Sequence, residues 1–566
     1  MAKSGAVNSA KTAREGKKKP MLRPELSQNI PEETVRIAHA AYPKGNLYMQ
    51  MRDEFGPLYE DKALKNIFSR TGQPGIAAWR LIWVTVMQFA EGLTDREAAD
   101  AVRGRIDWKY ALGLALDDPG FGHTVLSEFR ARLVEGEGET YLLDTLLKAC
   151  QNRGWLKARG KQRTDSTHVL AAIHTLQRLE NVGQTLQLAL NDFAQAAPGW
   201  LKGWVPEIWF ERYKRKLEEY RLPKTATERV QLAQQFGQDG WCLLDHLNDE
   251  TTPPALRERQ SVNILRQIWE QHYERRADGV VRWLDKSELL PSAQRLASPH
   301  DPEARYSTKN DLEWVGYKAH FTETCDEQGP NLIMHVETTL ATTQDNDALD
   351  AIHQALDARD LLPSQHIVDS GYMSAELLVR SQNEYEVELL GPLRPDVSWQ
   401  AKDEHAFDIT HFQVNWTTHE VTCPANHVSH SWSEQTGFRG QPVITVQFRQ
   451  RDCRPCPLRA LCTRRKTGSR NLTFPPQAHF ALLQAVRQRQ TSPDFQALYN
   501  QRAGVEGTIS QAVNPFQARQ ARYIGLAKTN LQQIATAVAV NFQRLFAWLN
   551  GEQLAKTRTS PFAALA

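Results

Sequence analysis

Three acidic residues stand in settings where carboxylates can hold metal ions: Asp165 in "RTDSTHV", Asp369 in "HIVDSGY" and Glu506 in "QRAGVEGTISQAV". Asp369 closes a short apolar run and is followed at once by Ser370 and Gly371. That is the pattern of a strand reaching the carboxyl edge of an α/β sheet, where such sheets bind ligands. Asp165 has the same small polar follower, Ser166. Glu506 has Tyr499 and Arg502 at i−7 and i−4, a spacing that puts all three side chains on one face of a helix. Two strand-borne aspartates and one helix-borne glutamate are hard oxygen ligands suited to Mg²⁺ or Mn²⁺. Two such ions about 3.5–4 Å apart can activate a water or a 3′-hydroxyl and stabilise the leaving oxygen of a phosphodiester. Taken singly, each acid could equally be a turn or cap residue.

Four cysteines form a second group. Cys423 stands alone in "TCP", and Cys453, Cys456 and Cys462 follow in "CRPCPLRALC". Four thiolates can close a tetrahedral Zn²⁺ site, and β-type surroundings with basic neighbours suit a zinc-ribbon-like module. A redox C-x-x-C and a site that kept its cysteines without metal are the alternatives; no βαβ pattern accompanies the pair as a redox motif would require. Cys150, Cys242 and Cys325 read as ordinary buried thiols. No P-loop and no His-Glu-x-x-His is present, which leaves ATP hydrolysis and zinc-protease chemistry unsupported.

These residues need elements to position them. In 566 residues, 68 Lys+Arg nearly balance 66 Asp+Glu, so a nucleic-acid surface must come from local clusters such as "ERYKRK", "TRRKTGSR" and "QARQAR". No run approaches the roughly 18 apolar residues of a membrane span, and a soluble, cytoplasmic protein is expected. Residues 1–30 are basic and polar and are expected to be disordered. From 75 to 150 the pattern is helical: Trp83, Val86, Met87 and Ala90 share one face, "GLT" breaks the helix, and "TDRE" has the form of a capping box. In "TVLSEFRARL" the stripe Leu126, Phe129, Arg130, Leu133 recurs, with Arg132 beside it. Short helices ending in one that carries Arg130 and Arg132 fit a helix-turn-helix DNA binder or a plain bundle. A strand around Asp165 is followed by polar helices to about 300, with Trp200, Trp204 and Trp209 as core or, alternatively, as a surface for an extruded base. "WVGYKAHFTETCD" and "LIMHVETTLATT" predict a hairpin around "EQGPN", and a helix, "NDALDAIHQALDA", precedes the strand before Asp369. His168 and His320 read as hydrogen-bonded scaffold.

As an ordered set, "GLTDREAADAV", "FGHTVLSEFRARL", "RTDSTHV", "WVGYKAHFTET", "HIVDSGYMS", "ELLGPLRPD" before the cysteines, and "QRAGVEGTISQAV" with "ARYIGLAK" resemble a DDE transposase of bacterial insertion sequences. The resemblance covers about 75–550 and is to the group with an InsH-like N-terminal domain and a cysteine-containing insertion. It implies an α/β, ribonuclease-H-like mixed-sheet core. The first aspartate sits on the central strand, the second after the fourth strand, and the glutamate on a later helix. Asp165, Asp369 and Glu506 match these positions as catalytic residues holding two Mg²⁺ or Mn²⁺ ions. It also implies a basic tail at 1–30 and a DNA-binding helical domain at 31–155. A catalytic domain follows at 156–400 and 475–550 with a helical insertion at about 175–300, and a β-rich cysteine module at 400–474 is expected to hold structural zinc. The implied activity is binding of terminal inverted repeats, cleavage and strand transfer, with double-stranded DNA as partner, a homodimer in the complex and nucleoid association when bound. A transposase-derived DNA-binding protein that no longer cuts is the alternative. Tyr499 and Arg502 are expected at the phosphate. Many relatives place a lysine two turns after the glutamate, where this chain has Val513; Arg519 or Arg522 is expected to take over that contact. Gly504 and Gly507, flanking Glu506, are read as allowing close approach of metal and DNA, or else as packing against the sheet or bending the helix.

Overall fold

The computed structural model describes residues 29–552, apart from 69–74, 174–175, 251, 310 and 438–439. The expected disordered tail therefore lies almost wholly outside the described residues. At the centre is a six-stranded mixed sheet: β1 (Lys161–Leu170), β2 (Arg305–Lys309), β3 (Leu312–Thr324), β4 (Ile333–Leu340), β5 (Gln365–Ile367) and β6 (Glu388–Leu390). β3 pairs antiparallel with β1 on one side and with β2 and β4 on the other; β5 and β6 continue parallel from the far side of β1. The hairpin of β3 and β4 turns around "EQGPN" as its alternation predicts. The Asp345–Asp357 helix leads from β4 to β5, and the Ala375–Tyr385 helix from β5 to β6.

β1 is an unusual central strand. Buried central strands are ordinarily runs of Val, Ile and Leu, yet Gln162, Arg163, Thr164, Asp165 and Thr167 are all buried. Apart from Gln162 Oε1, which has no partner, their polar groups find partners sideways. Thr164 Oγ1 lies 2.7 Å from Thr322 Oγ1 and 2.6 Å from His366 Nε2, and His366 Nδ1 lies 2.8 Å from His353 Nε2. A central strand filled with hydrogen-bonding side chains marks a place where local preference has yielded to a specific arrangement.

The N-terminal helices do not form a separate bundle. Leu81 through Phe89 of the Ala78–Glu91 helix are buried on every side, wrapped around the Leu526–Leu549 helix at the other end of the chain. Trp83 stacks on Phe542 at 5.5 Å, and Phe55 meets the same ring edge-on at 5.7 Å. One hydrophobic core runs from these helices through the sheet. The terminal helix also covers the sheet's edge, where Asn541, fully buried, exchanges two hydrogen bonds with the backbone of Ile333. The predicted capping box is present: Thr94 Oγ1 accepts from the Glu97 N–H and Glu97 accepts from the Thr94 N–H.

Between β1 and β2 lies a mainly helical segment with its own core, together with a short hairpin (Tyr273–Arg275, Val281–Trp283) that the helical reading did not foresee. Trp209 is buried in that core, and Trp200 and Trp204 pack edge-on against each other and against their neighbours, with Trp204 stacked on His246 at 4.0 Å. Trp209 is a core residue, and Trp200 and Trp204 pack half-buried against that core. After β6 come two small antiparallel sheets around the cysteines.

Candidate active site

The register of the sheet brings the two aspartates together. β1 and β5 run parallel with Arg163 opposite Ile367, so two residues further along each chain Asp165 and Asp369 lie at the same height on adjacent strands. Asp165 falls inside β1, opposite Phe321 of β3. Asp369 lies just beyond β5, and its Oδ1 accepts from the Gly371 N–H at 2.7 Å. Asp165 Oδ1 accepts from the Ser166 N–H at 2.8 Å. These backbone donors fix both carboxylates.

Glu506 reaches the same place from the Ala503–Val513 helix. The junction is Arg502: its Nη2 lies 2.6 Å from Asp165 Oδ2 and 4.0 Å from Asp369 Oδ2, and its Nη1 lies 3.3 Å from Glu506 Oε1. One guanidinium is thus surrounded by all three predicted acids. Asp165 is 8 % exposed. Burial raises its pKa above the ordinary carboxylate range, and the Arg502 charge opposes that rise. Arg502 Nε has no partner. Among the described residues no three of His, Cys, Asp or Glu close on one ion-sized space; within the carboxylate trio Arg502 stands between the acids. A carboxylate trio that already encloses one cation is the right donor chemistry for hard divalent ions.

Three expectations need correcting. Tyr499, Arg502 and Glu506 do not share one helix: Tyr499 ends the Pro493–Asn500 helix, and the chain turns at Gln501 and Arg502 before the next begins. Tyr499 still joins the site, half-buried and stacked on Phe495 at 5.8 Å, with Arg502, Asp369 and Asp165 acting on its hydroxyl. Gly504 does not make room for metal or DNA. A Cβ there would overlap the guanidinium of Arg163, whereas nothing lies within 4 Å of the same position on Gly507. Arg163 donates to the Gln501 carbonyl and, through Nε, to Glu323 Oε1 at 2.7 Å. Glu323 is fully buried, and its other oxygen accepts from Arg544 at 2.6 Å and from Thr508 at 2.5 Å. This network ties β1, β3 and the terminal helix to the turn that carries Arg502 and to the helix that carries Glu506.

The third correction concerns DNA-binding candidates. Arg130 is 5 % exposed, paired with Asp95 at 2.5 Å and lying 4.7 Å over the Tyr523 ring. Its place in the stripe Leu126, Phe129, Leu133 already pointed inward, and all four are buried. Arg522 is likewise engaged, donating to the Leu93 carbonyl at 2.8 Å and lying over Phe89. Both arginines join the N-terminal helices to the segment after Glu506. Arg132 is partly exposed, pairs with Glu128 at 3.5 Å and lies over Phe68. Arg519 is exposed, and its Nε donates to Thr167 Oγ1, two residues from Asp165 on the same side of β1. His320 is scaffold, bonded to the Tyr372 hydroxyl at 2.6 Å and to Thr339; His168 rests against Trp314.

One acid was missed. Asp345, first residue of its helix, accepts from Ser166 Oγ at 3.2 Å and Lys318 Nζ at 3.3 Å. A Cβ on Gly371 would lie 3.0 Å from Asp345 Oδ2 and 2.9 Å from Asp369 Oδ1, so the glycine of "DSGY" keeps space between two carboxylates. The signal was Lys318 in "WVGYKAH", a lysine on a strand that otherwise faces inward.

Cys423, Cys453, Cys456 and Cys462 line one cavity together with His427. Burial pushes the Cys462 thiol up to about 11, with the three other cysteines adding to it against Arg470. The four are neighbours without being drawn together to coordination distance.

Two family models match the sequence: a transposase DDE domain over residues 422–546 and a transposase domain (DUF772) over 36–132. Together the two matches are those of a DDE transposase of the insertion-sequence type. The DDE match takes in Tyr499, Arg502, Glu506 and all four clustered cysteines, while Asp165 and Asp369 lie outside it. The DDE domain of this transposase implies a ribonuclease-H-like fold. No curated protein and no solved structure matches the chain. Among the described residues of the transposase, no helix is long and apolar enough to cross a membrane.

Proposed function

We propose that this transposase binds the terminal inverted repeats of its element, cleaves the ends and joins them to target DNA, with Asp165, Asp369 and Glu506 holding two divalent cations. The convergence of the three acids on Arg502 is the observation that supports it. Bound Mg²⁺ would supply activation of the attacking oxygen and charge relief at the leaving oxygen. The protein's own part is positional. Backbone N–H groups aim the two aspartates, and the buried pairs of Glu323 hold the Glu506 helix against the sheet. Arg502 neutralises the acids when cations are absent and offers its guanidinium to the cut phosphate once they are satisfied; Tyr499 borders the same phosphate. Exposed Arg519 continues the basic surface along β1. Element ends come in pairs, and two copies of the transposase are expected in the complex. In the cysteine module the cavity shared by four thiols supports a structural Zn²⁺.

The test uses Asp165→Asn, Asp369→Asn and Glu506→Gln on labelled end DNA in Mg²⁺. Each should retain DNA binding and lose cleavage by a hundredfold or more, as when a ligand or transition-state contact is removed. A Glu506→Gln protein that cleaves within about threefold of wild type excludes Glu506 as the third acid. Wild-type protein that binds ends and never cuts them supports the DNA-binding alternative.

A further inference from the structure

Where the helical segment meets the sheet there is a cavity of about 270 Å³, and Arg178, His272, Ser292, Arg295 and Tyr306 are among its lining residues. No aspartate or glutamate lines it. Two buried-edge arginines facing one space without a carboxylate is an uncommon arrangement, because each cation makes the other's desolvation worse. Arg178 Cζ lies over the Trp283 ring, 3.6 Å from its centroid, and Arg178 donates through Nε to His272 Nδ1 at 3.0 Å. Its pKa is pushed down to about 10, first by burial and then by Arg295, while Tyr273 and Asp285 pull the other way. Arg295 donates one bond, from Nη2 to Ser292 Oγ at 3.1 Å, and its Nε is buried with no partner. His272 accepts from Arg178 at Nδ1, so its proton sits on Nε2; burial and the two arginines hold the ring neutral. The cavity therefore offers two cations with no carboxylate among its lining residues, while Asp285 acts on Arg178, and Glu313 on the Tyr306 hydroxyl, from outside that lining.

We propose that this cavity binds a phosphate of the DNA backbone, held by Arg295 and Arg178, away from the cut itself. The assignment rests on the DNA-cleaving function proposed above. Its place along the duplex follows from the sheet: Val315 and Tyr306, which line the cavity and face each other across β3 and β2, lie six residues along β3 from Phe321, the partner of Asp165. At roughly 3.3 Å per residue that is about 20 Å, or about six base pairs of duplex.

The experiment measures binding of the full-length transposase to a 30-base-pair duplex carrying the element end, over a range of salt. A second series replaces single phosphates by neutral methylphosphonates four to eight base pairs from the cleavage position. For wild type, one or two of these replacements should weaken binding roughly tenfold, the loss expected for a charge-assisted contact. Arg295→Gln should lower the salt slope by about 0.9, the share of one phosphate, and should be indifferent to the same replacements. Arg295→Lys, which keeps the charge, should recover the slope. If Arg295→Gln keeps the wild-type slope, or no replacement in that interval weakens wild-type binding, the phosphate site is wrong while DNA binding stands. If the wild-type protein does not bind the duplex, the proposed function fails and the phosphate site with it.

Discussion

Gly504→Ala and Gly507→Ala should change stability in opposite directions, although the two residues sit three apart on one helix. On propensity alone each substitution should stabilise the helix by about 0.5–1 kcal/mol. Gly507 has nothing within 4 Å of its missing side chain, so that gain should appear in full. At Gly504 the added methyl overlaps the Arg163 guanidinium. Arg163 cannot simply swing aside, because it holds one oxygen of Glu323, which is fully buried. Breaking a buried ion pair outright costs about 3–5 kcal/mol. Here Arg544 and Thr508 remain on the other oxygen, so roughly half of that loss is expected. Set against the propensity gain, Gly504→Ala should destabilise by about 0.5–2 kcal/mol, a separation of about 1.5–2.5 kcal/mol from Gly507→Ala. Urea unfolding of the two variants beside wild type reads both signs. In an Arg163→Met background the cost at Gly504 should shrink, since residues in contact couple by about 0.5–3 kcal/mol. A Gly504→Ala protein as stable as Gly507→Ala would refute the account of how the Glu506 helix is seated.

His272, His320 and His353 are buried and held neutral, their pKa values pushed by burial down to about 3, 4 and 4. Because these lie below the ordinary value near 6.5, the unfolded chain takes up protons first on acidification. Their contribution is complete above about pH 6.5 and falls by roughly 1.4 kcal/mol each by pH 5.5, so the urea midpoint should drop steeply there; a flat midpoint contradicts it. Arg519→Ala should weaken DNA binding and leave the melting temperature unchanged, whereas Arg130→Ala should lower the melting temperature, as loss of one partner of a buried pair does; titrations and melts of both variants check the contrast. Purified protein should carry about one zinc per chain by elemental analysis, and under a tenth of an equivalent refutes the cysteine site.

What could be read from the sequence was what repeats at short range. The capping box at Thr94, the hairpin of β3 and β4, the helix before Asp369 and the acids themselves all have local signatures. Asp369 was legible because a small polar follower at a strand end is a backbone property; Asp165 has the same follower but lies inside β1. Less visible were relations between distant segments. That Arg163 and Arg544 converge on Glu323, and that Gly504 exists for Arg163, depends on three-dimensional packing that no period in the chain records. Arg130 is the instructive case: its spacing placed it in the apolar stripe, its charge suggested solvent, and packing decided for the stripe. The turn at Gln501 and Arg502 was hidden because helix-compatible residues flank it on both sides.

The embrace of the Leu526–Leu549 helix by the first helices has a bearing on how this transposase is made. Trp83 and Phe55 wait for Phe542, a residue synthesised more than 450 positions later. Contacts between segments so far apart in sequence form slowly, and until the Leu526–Leu549 helix leaves the ribosome these aromatic rings lack their partner. A product truncated before residue 526 should therefore aggregate or be degraded instead of accumulating as a free DNA-binding fragment that competes for the ends. A stop or frameshift before residue 526 would silence the element without leaving behind a soluble inhibitor of its intact copies.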